Sequence, residues 1–365
     1  MATTQKIDVG LQRYFRDFDV VIVNSDSDSR DGTKKNFLGT DTKSKKHLLT
    51  SRVGKGNSLI NFFRYCGKER VNYAATIDCD IKTLNPRWVK TLLEPLIRGE
   101  ADYVTPLYAR SRFEGSTTNN FAFPLIYSLF GRNIRQPIGG DFAFNKEYIG
   151  YILRQPFGGS TRQYGIDIFM TIHAVGGKFR LAEVFLGKKL HKPSFTKIGF
   201  MPRQVFESAF NTLKFYECSN RSNPEILGGK TCIIGGGGFS HEAEAKKLLT
   251  ESLRMIKIKG RGYRNIVPGW KELKRKILGE GALGYKEWAV ILGSFIAKGG
   301  ENPKYLSELL VPLSLIRTTT FWLSSKSLSP SKAEREIIDQ ARETRRQFVT
   351  GRKENNHALC DERGT

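Results

Sequence analysis

Over its first two hundred residues or so, the chain alternates short apolar runs with amphipathic stretches, and two of the runs end in carboxylates. "DVVIVNSD" (Asp19 to Asp26), "YAATIDCD" (Tyr73 to Asp80), "ADYVTPLY" (Ala101 to Tyr108) and "FRLAEVFLG" (Phe179 to Gly187) read as strands. Between them lie helical segments such as "GNSLINFFRYC" and "PRWVKTLLEPLIRG". In the second, Pro86 marks the helix start, and Trp88, Leu92, Leu93 and Leu96 form one apolar face. Strand and helix in alternation predict an α/β domain. In open parallel sheets, ligands bind beyond the carboxyl ends of the strands. Both "NSDSDS" and "DCD" stand at such ends.

The 365 residues suffice for one large domain or two of ordinary size, and 39% hydrophobic content supplies a core. The longest clean apolar stretch, "WAVILGSFIA" from Trp288, is about half of a membrane span. Lys6, Asp8, Arg13 and Arg16 leave no apolar signal region, so a cytoplasmic protein is expected. Five scattered cysteines without CxxC spacing predict neither disulfides nor a zinc knuckle. The net charge of +23 attracts polyanions. It is concentrated between Arg254 and Lys276, with nine Lys or Arg against Glu272 alone. No zinc-finger spacing or aromatic RNA-binding run accompanies these charges, so a specific nucleic-acid partner is not expected.

Three regions are expected: an α/β domain over 1–215, a mostly helical region over 216–348, and a disordered tail over 349–365. In the glycine-rich loop near 228–238 no Lys-Ser/Thr follows the run Gly235 to Gly238, as a P-loop would require. Ser329 or Ser331 can cap the last helix, with Pro330 in its first turn.

Asp78 and Asp80 stand two residues apart, and on a strand that spacing turns both to one side, where they can converge on one cation. Mg²⁺ and Mn²⁺ favour such oxygen ligands and complete their shells with substrate phosphates. "NSDSDSRDGT" offers hydroxyls and carboxylates to a ribose or a base edge, or is simply a solvated turn. Gly54, Lys55 and Gly56 precede a helix whose N-terminus favours a phosphate. His191 can ligate a metal, although a lone His is more often a surface residue; His173, on an apolar helical face, is assigned to packing.

In order, "VVIVNSDSDSRDGT", "GKGNSL", "IDCDIKTLNPRWV", "PIGGDFAF", "YGIDI", "LGKKLHKP" and "GFMPRQV" resemble the retaining GT-A glycosyltransferases of glycosyltransferase family 81. That family includes glucosyl-3-phosphoglycerate and glucosylglycerate synthases. The resemblance covers about residues 5 to 210 and returns weakly near "LLVPLSLIRTTTFWLSSKSLSPSKAEREI". It implies a GT-A domain followed by a helical segment, a GDP-, UDP- or ADP-hexose donor, a small acidic acceptor, and Mg²⁺ or Mn²⁺ between the donor phosphates. It makes Asp80 and His191 the metal ligands and gives Asp78 to the ribose. Ser25, Asp26 and Ser27 fall where the nucleoside is held, and Gly54, Lys55 and Gly56 lie along the donor. Gly139, Gly140 and Asp141 line the sugar and acceptor pocket, together with Tyr164 and Asp167. A homodimer is compatible with this reading.

Two departures from the family pattern stand out. Where phosphoglycerate-using members carry an Arg that holds the acceptor phosphate, the stretch "EGSTTNN" places Ser116, between Gly115 and Thr118; Pro193 replaces an Asn after the metal-binding His. Losing a phosphate clamp implies an unphosphorylated acceptor such as glycerate, with Arg110 and Arg112 left to hold its carboxylate. The chain also begins inside the first helix of the fold, at "TTQKIDVGLQRYF", so an N-terminally truncated domain with an open sheet edge is expected. The competing readings are an inverting family-2-like transferase acting on a lipid phosphate or glycan, and an inactive transferase remnant that binds polyanions.

Overall fold

The computed structural model describes residues 2–190, 199–216, 224–227, 232–234 and 242–361. The chain divides into two compact units, Met1–Tyr108 with Gln136–Ser208, and Ala109–Arg135 with Ala209–Thr365.

The first unit is mixed α/β. It contains α1 (Ala2–Tyr14), β1 (Val21–Asp26), α2 (Thr33–Leu38), β2 (Lys45–Thr50), α3 (Lys55–Lys68), β3 (Tyr73–Thr76), α4 (Arg87–Ile97) and β4 (Tyr103–Ala109). After the excursion into the second unit come β5 (Phe142–Asn145), α6 (Lys146–Leu153), α7 (Ile166–Gly176), β6 (Leu181–Lys188) and the start of α8 (Met201–Leu213). All four expected strands are present, as is the helix after Pro86, which buries Trp88, Leu92 and Leu96. The sheets are not uniformly parallel: β1 and β2 pair in parallel, whereas in the sheet of order β3-β5-β4-β6 the strand β5 runs antiparallel to β3 and β4. β2 and β5 carry little sequence signal, one being basic and half-exposed and the other four residues long.

Alternation along β5 assembles the two core layers, because successive strand side chains point to opposite faces. Phe142 and Phe144 pack with Phe63 of α3, Tyr148 of α6 and Phe169 of α7, while Ala143 packs with Trp88 and Leu92 of α4. Each such large apolar side chain contributes roughly 1.5–3 kcal/mol on burial. His173 is fully buried, its ring 4.3 Å from that of Phe169, as its apolar face predicts.

The second unit is helical: α5 (Phe123–Phe130), the remainder of α8, α9 (Glu242–Lys259), α10 (Trp270–Glu280), α11 (Tyr285–Lys298), α12 (Pro303–Ser325) and α13 (Pro330–Asp361). A π-helical turn, Thr118–Ala122, leads into α5. The Ser329 hydroxyl accepts from the Lys332 N–H at 3.3 Å and so caps α13, which then continues to Asp361 through part of the stretch expected to be disordered. Of the glycine-rich loop near 228–238, residues 228–231 and 235–238 lie outside the described residues. Among the described residues, no helix is long and apolar enough to cross a membrane.

Candidate active site

β3 ends at Thr76, so the DCD stretch lies beyond the strand, in the turn that follows it. The expectation that strand geometry brings both carboxylates to one side is therefore corrected. Asp78 is half-buried against two lysines, whereas Asp80 is exposed.

Antiparallel pairing of β3 with β5 puts Thr76 opposite Phe142, so the residues just beyond, Asp78 and Asp141, meet across the ladder. The Asp78 N–H donates to Asp141 Oδ1 at 2.6 Å. Asp141 is wholly buried, and its Oδ2 accepts from the Tyr108 hydroxyl and from Lys189 Nζ, the latter at 2.7 Å. Lys189 follows β6 directly and is 2% exposed. It also donates to Asp78 Oδ2 at 3.1 Å and to the Gly139 carbonyl at 2.9 Å, and lies 4.8 Å from the centre of the Tyr108 ring. Gly140 has φ +96°, and a side chain there would run into the Asp78 carboxylate. This turn requires glycine twice over, for its left-handed backbone and for the space.

Lys55 opens α3 and joins Asp78 to a third carboxylate. Its Nζ donates to Asp167 Oδ2 at 2.9 Å and lies 3.5 Å from Asp78 Oδ1. Asp167 sits in the first turn of α7. The two elements are held together by the Gly56 N–H, which donates to the Gln163 carbonyl at 3.0 Å. A Cβ on Gly56 would collide with the backbone of Thr161 and Arg162, so this glycine serves packing within the chain.

Three carboxylates and two ammoniums are thus wired into one cluster. Burial disfavours the Lys55 charge, but Asp167 and Asp78 outweigh it and hold the ammonium above its ordinary range. Burial likewise pushes Asp78 up, yet Lys55 and Lys189 prevail and hold it well below the usual carboxylate range. For Asp141 and Asp167 burial wins, raising both despite their lysine partners. Asp167 Oδ1 is buried and has no hydrogen-bond partner.

Among the described residues, no group of three or more His, Cys, Asp or Glu side chains is placed to hold a metal. Asp80 offers a hard oxygen donor open to solvent, which fits Mg²⁺ or Mn²⁺ bound by one carboxylate with phosphates completing the shell. His191 lies outside the described residues.

The other expected residues are placed as follows. Ser25 Oγ donates to the Ser58 carbonyl at 2.7 Å, which ties β1 to α3. Asp26 is buried and accepts from the Ser29 N–H at 2.7 Å, while Ser27 is half-buried in the same turn. The Tyr164 N–H donates to Gln204 Oε1 at 3.2 Å, just ahead of α7. Arg110, Arg112, Gly115, Ser116 and Thr118 belong to the second unit. There Arg112 is buried and donates to the Ser325 and Leu328 carbonyls, so its guanidinium holds the end of α12 and is not free to grip an acceptor. The Arg110 backbone pairs with Cys232 and Ile234, and Gly115 accepts from the Asn119 N–H at 2.8 Å. Ser116 is half-buried and Thr118 buried at the π-turn. Lys189 and Tyr108 are absent from the residues expected from sequence; a lysine pair directly after an apolar run is the signal that marks Lys189.

No protein-family model matches the sequence, and no curated protein matches it. The chain is similar to a crystal structure of glucosyl-3-phosphoglycerate synthase from Mycobacterium tuberculosis in complex with Mn²⁺, UDP-glucose and phosphoglyceric acid, with 23% identity over 57% of this chain and 75% of that one, at a TM-score of 0.45. The same enzyme in complex with phosphoglyceric acid gives 24% identity, the same coverage and a TM-score of 0.45. A crystal structure of a mycobacterial protein gives 24% identity over 57% of this chain and 70% of that one, at a TM-score of 0.46. The likeness is to the path of the chain over little more than half of its length.

Proposed function

We propose that the first unit is a metal-dependent, retaining glycosyltransferase that moves a hexose from a nucleoside diphosphate sugar to glycerate or a similar small acidic acceptor. The observation that carries this reading is the cluster of Lys55, Asp78, Asp141, Asp167 and Lys189, partly buried at Lys55 and Asp78 and buried at the other three, with the exposed Asp80 two residues after Asp78. Its members come from the ordered set of motifs whose resemblance is to glycosyltransferases.

In the proposed reaction, the bond from the anomeric carbon to the diphosphate oxygen breaks and a bond to the acceptor oxygen forms. The acceptor proton passes to the departing phosphate, so no protein base is assigned. Lys55 and Lys189 are cations held in place before substrate arrives, and such fixed charges stabilise charge developing on a leaving group without reorganising. Asp167 Oδ1 is an unpaired buried acceptor suited to a sugar hydroxyl. Asp141 and Tyr164 are assigned to the same pocket as positioning groups. Asp80, with His191, would hold the cation, which when bound supplies charge neutralisation at the diphosphate.

Calorimetric titration with GDP, UDP and ADP, each with and without Mn²⁺, tests the reading. Binding of one nucleotide that depends on the metal and is lost in Asp80→Ala supports it and identifies the base. No binding of any of the three ends it. Turnover assays then separate the acceptors: Ser116 in place of a phosphate-gripping Arg predicts that glycerate is used in preference to 3-phosphoglycerate.

A further inference from the structure

We propose that the surface formed by α9, the turn after it and α10 docks on an anionic lipid bilayer. Nine Lys or Arg lie between Arg254 and Lys276, and only two of them have a carboxylate within 4.0 Å. Arg275 lies 3.7 Å from Glu272, and Lys276 lies 2.5 Å from Glu287. The other seven have no such partner among the described residues. Arg254 and Lys257 project from the side of α9 opposite its buried Ser252 and Ile256, and Arg261 and Arg264 continue the exposed charge through the turn. Tyr263 and Trp270 hold this turn down: the Tyr263 hydroxyl donates to the Leu309 carbonyl at 2.9 Å, and the Trp270 indole donates to the Gly260 carbonyl at 2.7 Å. The basic face is therefore carried on an anchored scaffold.

Charge by itself selects any polyanion; the apolar residues within the patch select lipid. Ile258 is 66% exposed among these bases, and Tyr305, 45% exposed, sets its hydroxyl against Gly262. An exposed isoleucine gains nothing on a phosphate backbone, but it buries into the boundary between headgroups and acyl chains, where tyrosine also partitions. Lysines and arginines add an attraction to anionic headgroups that falls off within a Debye length. A surface for single-stranded nucleic acid would instead present several flat aromatic faces among the bases for stacking. Here Tyr305 is the exposed aromatic of the patch.

The test is co-sedimentation of the full chain with vesicles of phosphatidylcholine alone, and with about a third phosphatidylserine, at physiological salt. Binding is expected only to the anionic vesicles. Neutralising Arg254, Lys257 or Arg261 to Gln should weaken it about fivefold each. Ile258→Ser should weaken vesicle binding while leaving affinity for a DNA duplex unchanged. All four positions are exposed, and an unaltered unfolding midpoint confirms that each variant folds. Equal binding to neutral vesicles, no binding to either, or a duplex held more tightly than anionic vesicles with Ile258→Ser silent would each overturn the proposal.

Discussion

Charged groups are buried in both units, but they are used differently. In the second unit Arg135 Nε donates to Glu334 Oε1 at 2.7 Å and its Nη1 to Asn119 Oδ1 at 2.8 Å, while Glu334 Oε2 accepts from the Ile233 N–H. Arg317 likewise spans Gln340 and Glu336, both at 2.7 Å. The π-turn frees the Asn119 and Asn120 carbonyls, which accept from Gln340 and from the Trp288 indole. These bonds tie α12 to α13, and tie α11 and α13 to the π-turn and to the segments at Arg135 and Ile233, and so fix the packing of the helices. In the first unit the bonds converge on a turn built from glycine, one carboxylate oxygen of Asp167 is left without a partner, and Asp80 faces solvent. What separates a candidate site from a structural network is the binding capacity left over, since buried charge is present in both.

The largest effect that would sharpen this contrast is expected in the structural network. Arg135→Leu leaves Glu334 buried without its counter-ion and should cost about 3–5 kcal/mol in urea unfolding, most of it recovered when Glu334→Leu is added. Recovery would not occur if the pair acted on a ligand rather than on the fold.

Next comes a titration within the first unit. Burial lowers the His173 imidazole from 6.5 to about 3, so the folded state holds fewer protons than the unfolded state between those values. The associated stability is present above pH 6.5 and is lost as pH falls toward 3, reaching about 3 kcal/mol by pH 4. Subtracting the pH profile of His173→Leu from that of the wild type isolates it; parallel profiles would contradict the burial.

Asp80→Ala should reverse the pattern, with unfolding unchanged within about 0.5 kcal/mol and metal-dependent nucleotide affinity reduced about a hundredfold, near 2.7 kcal/mol. A variant that unfolds easily and binds normally would return Asp80 to the structural class. The smallest expected effect is that of Gly140→Ala, about 2 kcal/mol from the left-handed backbone and the displaced Asp78 carboxylate. Its nucleotide binding should weaken along with its stability, which distinguishes it from Arg135→Leu.

Legibility followed distance along the chain. Lys55 and Asp78 could be singled out because each lies within a local pattern, a glycine pair at a helix start and a carboxylate at the end of an apolar run. Arg112 could not be interpreted correctly, because its partners are the carbonyls of Ser325 and Leu328, more than two hundred positions away. The lysine pair after an apolar run marks Lys189 only as a charge at a strand end; its role comes from Asp78 and Asp141, 111 and 48 positions away.

The sequence by itself determined the α/β alternation, the four principal strands, the helix after Pro86 and the segments that bear chemistry, since apolar period and glycine placement act over a few residues. Only the tertiary structure decided that the Asp78 and Asp80 side chains part company, that β5 runs antiparallel, and that two lysines from different elements meet three carboxylates. Those outcomes depend on which strand pairs with which and on what burial does to a charge, and both are set by contacts between residues far apart in the chain.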